Sequence, residues 1–309
     1  MRDGFNRDID YLKISLTNRC NLKCAYCISE DYEFLDKEIN KFLSLEDYKF
    51  IIKTMAELGI KKIEFTGGES TLSSNLLELV YYAKNICNME EVILTTNGIE
   101  FYKQASDLKK AGLTQVNIGI NSLKEYKYNS ITRGGNLCDV LNSFNTALRL
   151  GLKVNVDVLF IKGFNDNEIY DFIQLSNNFP ITLRLFELMP ISESKEIFEM
   201  GYIDMSKFLS EIKGLNKIDD TYYKTENSKG RVCVVSVFNM NNCWRCNKLS
   251  LSYDGKLRLC TYSGLEYDII PFLHKPLTFS EVMKDIIINK PRDFNEVKDV
   301  VTCRSLNEI

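Results

Sequence analysis

Ten cysteines stand against a single histidine, His274, in a chain of 309 residues. Six of the ten fall into two short-spaced sets. Cys20, Cys24 and Cys27 form C-x3-C-x2-C, and Cys243, Cys246 and Cys260 form C-x2-C-x13-C. Thiolate is the soft ligand that iron and zinc accept. Three thiolates on one short loop match three irons of a [4Fe-4S] cube, which leaves the fourth iron open to a small molecule. The competing readings of the first set are a zinc site or three packed thiols. Zinc takes four ligands, and no fourth Cys or His stands nearby. In the second set a hairpin returns Cys260 toward Cys243 and Cys246, and a zinc-stabilised knuckle is the alternative to a second cube.

The elements that carry these residues follow a strand–helix rhythm. Short β-rich runs occur at Leu12–Thr17, Ile63–Thr66, Val92–Thr96, Val116–Ile120, Val154–Ile161 and Leu183–Leu188. Helical patterns lie between them: Tyr48, Ile51, Ile52, Met55 and Leu58, then Asn75–Ile86, Tyr102–Ala111, Leu137–Leu150 and Asp166–Leu175. Ser44 with Asp47 predicts a capping box ahead of the first of these, and Gly59 its stop. Strands alternating with crossover helices predict a parallel α/β sheet, either open and doubly wound or a partial barrel. In such a sheet the loops after the strands form the active face, and Cys20 follows the first strand. Beyond about residue 200 the rhythm changes. Arg231–Phe238 reads as a strand, Lys248–Cys260 as a hairpin turning at Asp254-Gly255, and the region near Ser280–Ile288 as a helix.

Composition narrows the class. Hydrophobic residues at 45% and charged residues at 26% suit an ordinary globular chain. A formal net charge of -3 argues against a nucleic-acid partner. No apolar run reaches membrane-spanning length, and the opening MRDGFNRDID lacks the apolar region of a signal peptide, so a cytoplasmic location is expected. In a reducing compartment, short-spaced cysteines indicate metal or redox chemistry rather than disulfides.

The first cysteine set, with the aromatic Tyr26 just before Cys27, resembles the signature of the radical S-adenosylmethionine (SAM) superfamily. Thr66-Gly67-Gly68-Glu69 ends the second strand where that superfamily has a GGE-type motif against the cofactor's methionine amino group. Thr95-Thr96-Asn97-Gly98 closes the third strand at another cofactor-facing position. The resemblance implies a partial (β/α)6 TIM-like barrel over residues 8–215 and a C-terminal domain over 216–309 with an auxiliary cluster. It implies two [4Fe-4S] clusters, the first held by Cys20, Cys24 and Cys27 and the second by Cys243, Cys246 and Cys260. It also implies SAM contacts from Tyr26, Gly67, Gly68, Glu69, Thr95, Asn97 and Asn121, and a flavodoxin- or ferredoxin-type electron donor. Reductive cleavage of the sulfonium would then supply a 5′-deoxyadenosyl radical for hydrogen abstraction.

Within the superfamily the chain is similar to the GTP 3′,8-cyclase family of molybdenum cofactor synthesis. The likeness runs through Leu16-Thr17-Asn18-Arg19-Cys20, Lys162-Gly163-Phe164-Asn165-Asp166, Arg184-Leu185-Phe186-Glu187-Leu188-Met189-Pro190 and Leu251-Ser252-Tyr253-Asp254-Gly255-Lys256. Departures fall on residues that would hold the nucleotide. Glu64 stands where the family has arginine, Asn155 where it has lysine, Lys13 for an arginine, and Lys248 and Ser250 for two arginines. Lys62 and Arg184 match. Gly119 replaces a cofactor-contacting serine, Asn121 an aspartate, and Ser73-Ser74 a basic pair, and the family's Gly-Gly tail is absent. A polyanion needs matching cations. The expectation is therefore a radical SAM paralogue acting on another small molecule or a peptide. The alternatives are an authentic GTP 3′,8-cyclase and, in a different class, a non-catalytic iron–sulfur electron carrier.

The remaining cysteines read more plainly. Cys87, Cys138 and Cys233 are expected as packed core thiols. Cys303, in the tail, is a candidate hydrogen donor or fourth ligand, with a surface thiol as the simpler reading. Trp244 is expected to shield the second cluster. A structural role is expected for His274, and packing or surface roles for Tyr81, Tyr82, Tyr222 and Tyr223.

Overall fold

Side chains alternate across a strand, so Tyr11–Ser15 sends Leu12 and Ile14 to one face and Tyr11, Lys13 and Ser15 to the other. The same split recurs in the next strands. Ile63, Phe65, Val92, Leu94, Val116, Ile118, Val156 and Leu183 join one apolar core with the surrounding helices. Each such fully buried side chain contributes about 2 kcal/mol through burial. Polar residues occupy the opposite, inner face. The structure, a computed structural model, describes residues 1–27, 43–189, 195–219, 221–236, 241–260, 265–293 and 296.

In chain order the elements are β1 (Tyr11–Ser15), α1 (Leu45–Glu57), β2 (Lys62–Thr66), α2 (Leu76–Tyr81), β3 (Glu91–Thr96), α3 (Phe101–Ala111), β4 (Gln115–Gly119), α4 (Glu125–Thr132), α5 (Leu137–Arg149), β5 (Lys153–Leu159), α6 (Ile169–Asn178) and β6 (Thr182–Phe186). Then come α7 (Lys195–Gly201), α8 (Met205–Ser210), β7 (Asn216–Lys217), β8 (Tyr222–Lys224), β9 (Arg231–Val235), α9 (Asn241–Trp244), β10 (Lys248–Leu251), β11 (Lys256–Arg258), β12 (Glu266–Asp268) and α10 (Pro276–Ile287). The expected strands and helices are present among the described residues with shifts of a few residues at their ends; the expected end of the Arg231–Phe238 strand, residues 237–238, lies outside the described residues. The capping box of α1 forms, with Asp47 N–H donating to Ser44 Oγ and Ser44 N–H to Asp47. Gly59 then takes a left-handed φ of 102° past the helix end. The helical pattern over 75–86 ends in one turn of π-helix at Tyr82–Ile86.

Pairing produces one sheet in the order β12-β11-β10-β1-β2-β3-β4-β5-β6-β9-β8-β7. The six strands expected as the barrel, β1 to β6, are parallel neighbours. The C-terminal strands extend this set at both ends: β9 pairs parallel with β6, and β10 parallel with β1. The chain boundary expected at 215/216 thus coincides with no break in the sheet. Antiparallel hairpin strands finish each edge. The segment between β9 and β10, which includes α9, passes from one end of the parallel set to the other, and Cys243 and Cys246 ride on it.

Candidate active site

The parallel strands have two ends, and each carries one cysteine set. At their C-terminal ends the loop after β1 holds Cys20, Cys24 and Cys27, all half-buried. Two backbone bonds fasten this loop to the Gly67-Gly68-Glu69 turn: Gly68 N–H donates to Thr17 O at 2.7 Å and Glu69 N–H to Arg19 O at 2.7 Å. The approach is so close that a Cβ on Gly68 would sit 2.2 Å from Arg19 O, and one on Gly67 2.5 Å from Thr17 O. On its other side the loop docks on the end of α4, with Ala25 N–H donating to Ile131 O at 2.9 Å.

Around this loop, Cys20 Sγ accepts from Leu22 N–H at 3.4 Å and from Asn97 Nδ2 at 3.7 Å. Asn121 Nδ2 donates to Tyr26 OH at 2.6 Å. Burial pushes the Cys20 thiol up to about 11 and raises Cys24 as well. A buried thiol ionises when a soft cation is present to hold the charge. Three such sulfurs on one loop, with N–H groups aimed at one of them, fit an iron–sulfur cluster. Among the described residues no three Cys, His, Asp or Glu side chains converge on a single ion. A cube makes a different demand, since its corners hold the thiolates apart.

Glu69 also has a structural part. Its carboxylate is 1% exposed and accepts from Thr71 N–H, Thr71 Oγ1, Thr96 Oγ1 and Asn97 N–H at 2.6–3.0 Å. Burial raises its pKa, against these bonds. Oε1 takes three of these bonds and braces the turn, while Oε2 takes only the Asn97 N–H and keeps acceptor capacity beside the Gly67-Gly68 backbone. Thr95 departs from its expected part. Its hydroxyl donates to Glu64 Oε1 at 2.6 Å and accepts from Asn117 Nδ2 at 2.9 Å, inside the barrel.

The interior is a connected polar network. Glu64, 6% exposed, accepts from Tyr11 OH at 2.6 Å as well as from Thr95. Lys13 is its register partner on β1. Burial alone would raise the Glu64 pKa, but the Lys13 and Lys248 ammoniums and the two hydrogen bonds hold it down to about 2. Lys248, at the start of β10, is exposed to solvent. The Lys248 ammonium lies 4.8 Å from the centre of the Tyr11 ring. Asn155 Nδ2 donates to Asn117 Oδ1 at 2.9 Å. Arg184 forms a two-pronged pair with Asp157 at 2.6 and 2.5 Å, which outweighs burial and raises its pKa. Ser250 is buried beside Lys13 in register. Lys62 stands at the start of β2, 3.5 Å from Glu91.

The second set lies at the opposite end. Cys246 stands two residues before β10, whose Lys248 pairs with Tyr11 at the start of β1, and Cys260 stands two residues after β11. Cys246 N–H donates to Cys243 O at 3.1 Å, a tight turn between the first two thiols. Strands of five residues at about 3.3 Å each place roughly 16 Å between the two ends. Trp244 is 63% exposed, so it is no buried shield. Cys138 is exposed and Cys87 half-buried, against the expectation of core thiols. Cys233 is buried on β9 in register with Arg184. His274 Nε2 meets Asp47 Oδ1 at 2.7 Å, a structural contact. Tyr223 is buried and Tyr81 exposed. Cys303 lies outside the described residues.

Two residues that hold the rim were not singled out from sequence. Asn165, fully buried, donates to Asn121 O and Leu159 O at 2.7 and 2.8 Å and accepts from Ile161 N–H at 2.8 Å. Glu168, also fully buried, accepts from Ser122 Oγ and Leu123 N–H and lies 3.3 Å from Lys127. The only sequence signal was the Lys162–Asp166 stretch within which Asn165 falls. Asn165→Ala orphans several backbone groups, and we expect urea unfolding to show a loss of about 2–3 kcal/mol.

Comparison with known proteins bears on this arrangement. Residues 14–176 match the family model for the radical SAM superfamily, and residues 181–296 match the Molybdenum Cofactor Synthesis C model. The GTP 3′,8-cyclase of Alkaliphilus oremlandii is 37% identical over 307 residues, covering 97% of this chain and 96% of that protein. The GTP 3′,8-cyclase of Clostridium acetobutylicum is 35% identical over 297 residues, covering 94% and 93%. The chain belongs to the radical SAM superfamily and, within it, to the GTP 3′,8-cyclase family. Solved structures show the same fold at low identity. SuiB of Streptococcus suis bound to S-adenosylmethionine superposes with a TM-score of 0.63 at 13% identity, over 93% of this chain and 66% of that one. Native anSMEcpe with bound AdoMet superposes with a TM-score of 0.64 at 15% identity, over 94% and 83%. This radical SAM enzyme therefore has the α/β partial-barrel fold expected, lengthened by β9 and β10. Among the described residues no helix is long and apolar enough to cross a membrane.

Proposed function

We propose that this radical SAM enzyme is a GTP 3′,8-cyclase. The observation that carries the reading is the match along nearly the whole chain: 37% identity over 97% of it to a GTP 3′,8-cyclase, with both halves matched by family models. The expectation of a different substrate rested on several losses of cation chemistry together, of which Glu64 in place of an arginine is the one charge reversal. Glu64 is not a bare anion in the barrel, since Lys13 and Lys248 compensate it. Among these interior groups the cations Lys13, Lys248 and Arg184 outnumber the carboxylates Glu64 and Asp157, so the cavity retains positive character for a polyanion.

In this reading Cys20, Cys24 and Cys27 would hold one [4Fe-4S] cluster and Cys243, Cys246 and Cys260 the other. Held there, SAM would supply the radical chemistry on one-electron reduction, for which a flavodoxin- or ferredoxin-type donor is proposed. The Gly67-Gly68 backbone, Asn97, Tyr26 and Asn121 line the SAM end. Lys13, Lys248, Arg184, Asn155 and Ser250 orient the nucleotide between the ends. A bond from C3′ to C8 requires loss of the C3′ hydrogen, so the ribose must face the Cys20 end. Burial keeps water from the radical.

The test is anaerobic incubation of the iron-loaded protein with reductant, SAM and GTP, followed by mass spectrometry. A 3′,8-cyclised nucleotide is the expected product. Deoxyadenosine formed with no loss of nucleotide would instead support the paralogue with another substrate.

A further inference from the structure

Two buried cations lie behind the second cysteine set, and neither belongs to its C-x2-C-x13-C motif. The Arg7 side chain is 9% exposed and pairs through Nε with Asp3 at 2.6 Å. Its Nη1 donates to Cys243 O at 2.8 Å and Arg292 O at 2.9 Å, and its Nη2 to Pro291 O at 2.6 Å and Lys290 O at 3.4 Å. All five N–H groups of the guanidinium are therefore used. Asp3 in turn accepts from Phe5 N–H and Arg7 N–H, and Gly4 N–H donates to Ile288 O at 3.0 Å, which fixes the N-terminal turn to the end of α10. Lys290, 2% exposed, donates to Lys248 O at 2.8 Å and to Leu259 O. Those carbonyls belong to the residue two beyond Cys246 and to the residue just before Cys260.

We infer that Arg7 and Lys290 form a clamp that positions Cys243, Cys246 and Cys260, with the Lys290 ammonium offsetting part of the charge of the group they hold. The inference rests on the proposed reading that this set binds a cluster. Arg7 fixes Cys243 through its own carbonyl, and Lys290 ties together the two strand ends that carry Cys246 and Cys260. Outer partners of this kind orient ligands and tune what is bound. Asp3 matches the charge of Arg7, so the electrostatic part falls to Lys290, whose buried ammonium meets only carbonyls and favours the more negative, reduced state of a cluster. A lysine at position 7 would keep the charge and lose the fork that meets four carbonyls and a carboxylate.

The experiment uses the full chain with Cys20→Ala, Cys24→Ala and Cys27→Ala as parent, so that only the second set can load. Iron and sulfide are counted, chelator stripping is timed, and the reduced cluster is titrated by electron paramagnetic resonance. We expect a parent with about four irons, and stripping about 10-fold faster in Arg7→Lys and in Lys290→Met. Lys290→Met also lowers the midpoint potential, whereas Lys290→Arg, which keeps the charge, restores it; a purely structural role would move stripping alone. Arg7→Lys and Lys290→Met report independently, so misfolding of one leaves the other as the test. Stripping and potential equal to the parent in both would overturn the clamp. A parent that binds no iron would overturn the cluster reading itself.

Discussion

Gly68→Ala abolishes SAM cleavage and lowers the iron content from about eight to about four per chain, a loss confined to the first cluster. The new Cβ would lie 2.2 Å from Arg19 O and 2.7 Å from Asn18 O, both rigid backbone atoms. The turn must withdraw from the cysteine loop. It then gives up the Gly68-to-Thr17 and Glu69-to-Arg19 bonds, each of about 1 kcal/mol net. The four bonds that Glu69 accepts shift with it, and Asn97, which donates to Cys20 Sγ, is among those partners. Iron counting with and without Cys243→Ala separates the two clusters. Full loading and normal deoxyadenosine formation in Gly68→Ala would show that the close approach is dispensable.

Glu64→Gln lowers the stability of the substrate-free protein by about 3 kcal/mol, because the half-buried Lys13 and the solvent-exposed Lys248 lose the buried anion they share, a loss that water at Lys248 partly screens. For a chain of this length that is a fall in melting temperature of roughly 5 °C or more. GTP restores part of it, since the triphosphate supplies the missing negative charge. The stabilisation by GTP is therefore larger in the variant than in the wild type. The pH dependence has a definite sign. Glu64 is held down to about 2 in the fold against an ordinary 4.5, so its contribution is complete above about pH 4.5 and is lost as pH falls through about 2. Glu64→Gln removes that dependence. Equal melting temperatures, or an equal GTP effect in both proteins, would contradict the shared-anion account.

These two sites differ in how far sequence could reach them. Cys20, Cys24, Cys27 and Gly67-Gly68-Glu69 are local patterns, with spacing fixed by short-range chemistry, and they were legible at once. So were β1 to β6 and the Ser44–Asp47 cap, because alternation and capping act within a few residues. The compensation of Glu64 was not legible. It depends on Lys248 arriving on β10, a strand whose parallel partner is β1 at the far end of the sequence. For the same reason the parallel pairing of β9 with β6 and of β10 with β1 was not legible in the C-terminal segment, which read as a small second domain with little barrel character. The short strands β7, β8 and β12 carry too few residues for a periodic pattern. Asn165 and Glu168 act through buried bonds to backbone in loops, which no periodicity announces. The second part Glu69 plays, bracing its own turn, was not legible, because its neighbours Thr71 and Thr96 reveal themselves as donors only in three dimensions.

The central claim is that one nucleotide lies between two cysteine-held clusters with its ribose toward the Cys20 end. Anaerobic turnover of GTP deuterated at C3′ tests it most directly, with the isotope content of the deoxyadenosine read by mass spectrometry. The account predicts deuterium in the deoxyadenosine, one for each cyclised nucleotide formed. Unlabelled deoxyadenosine beside unconsumed GTP would contradict it.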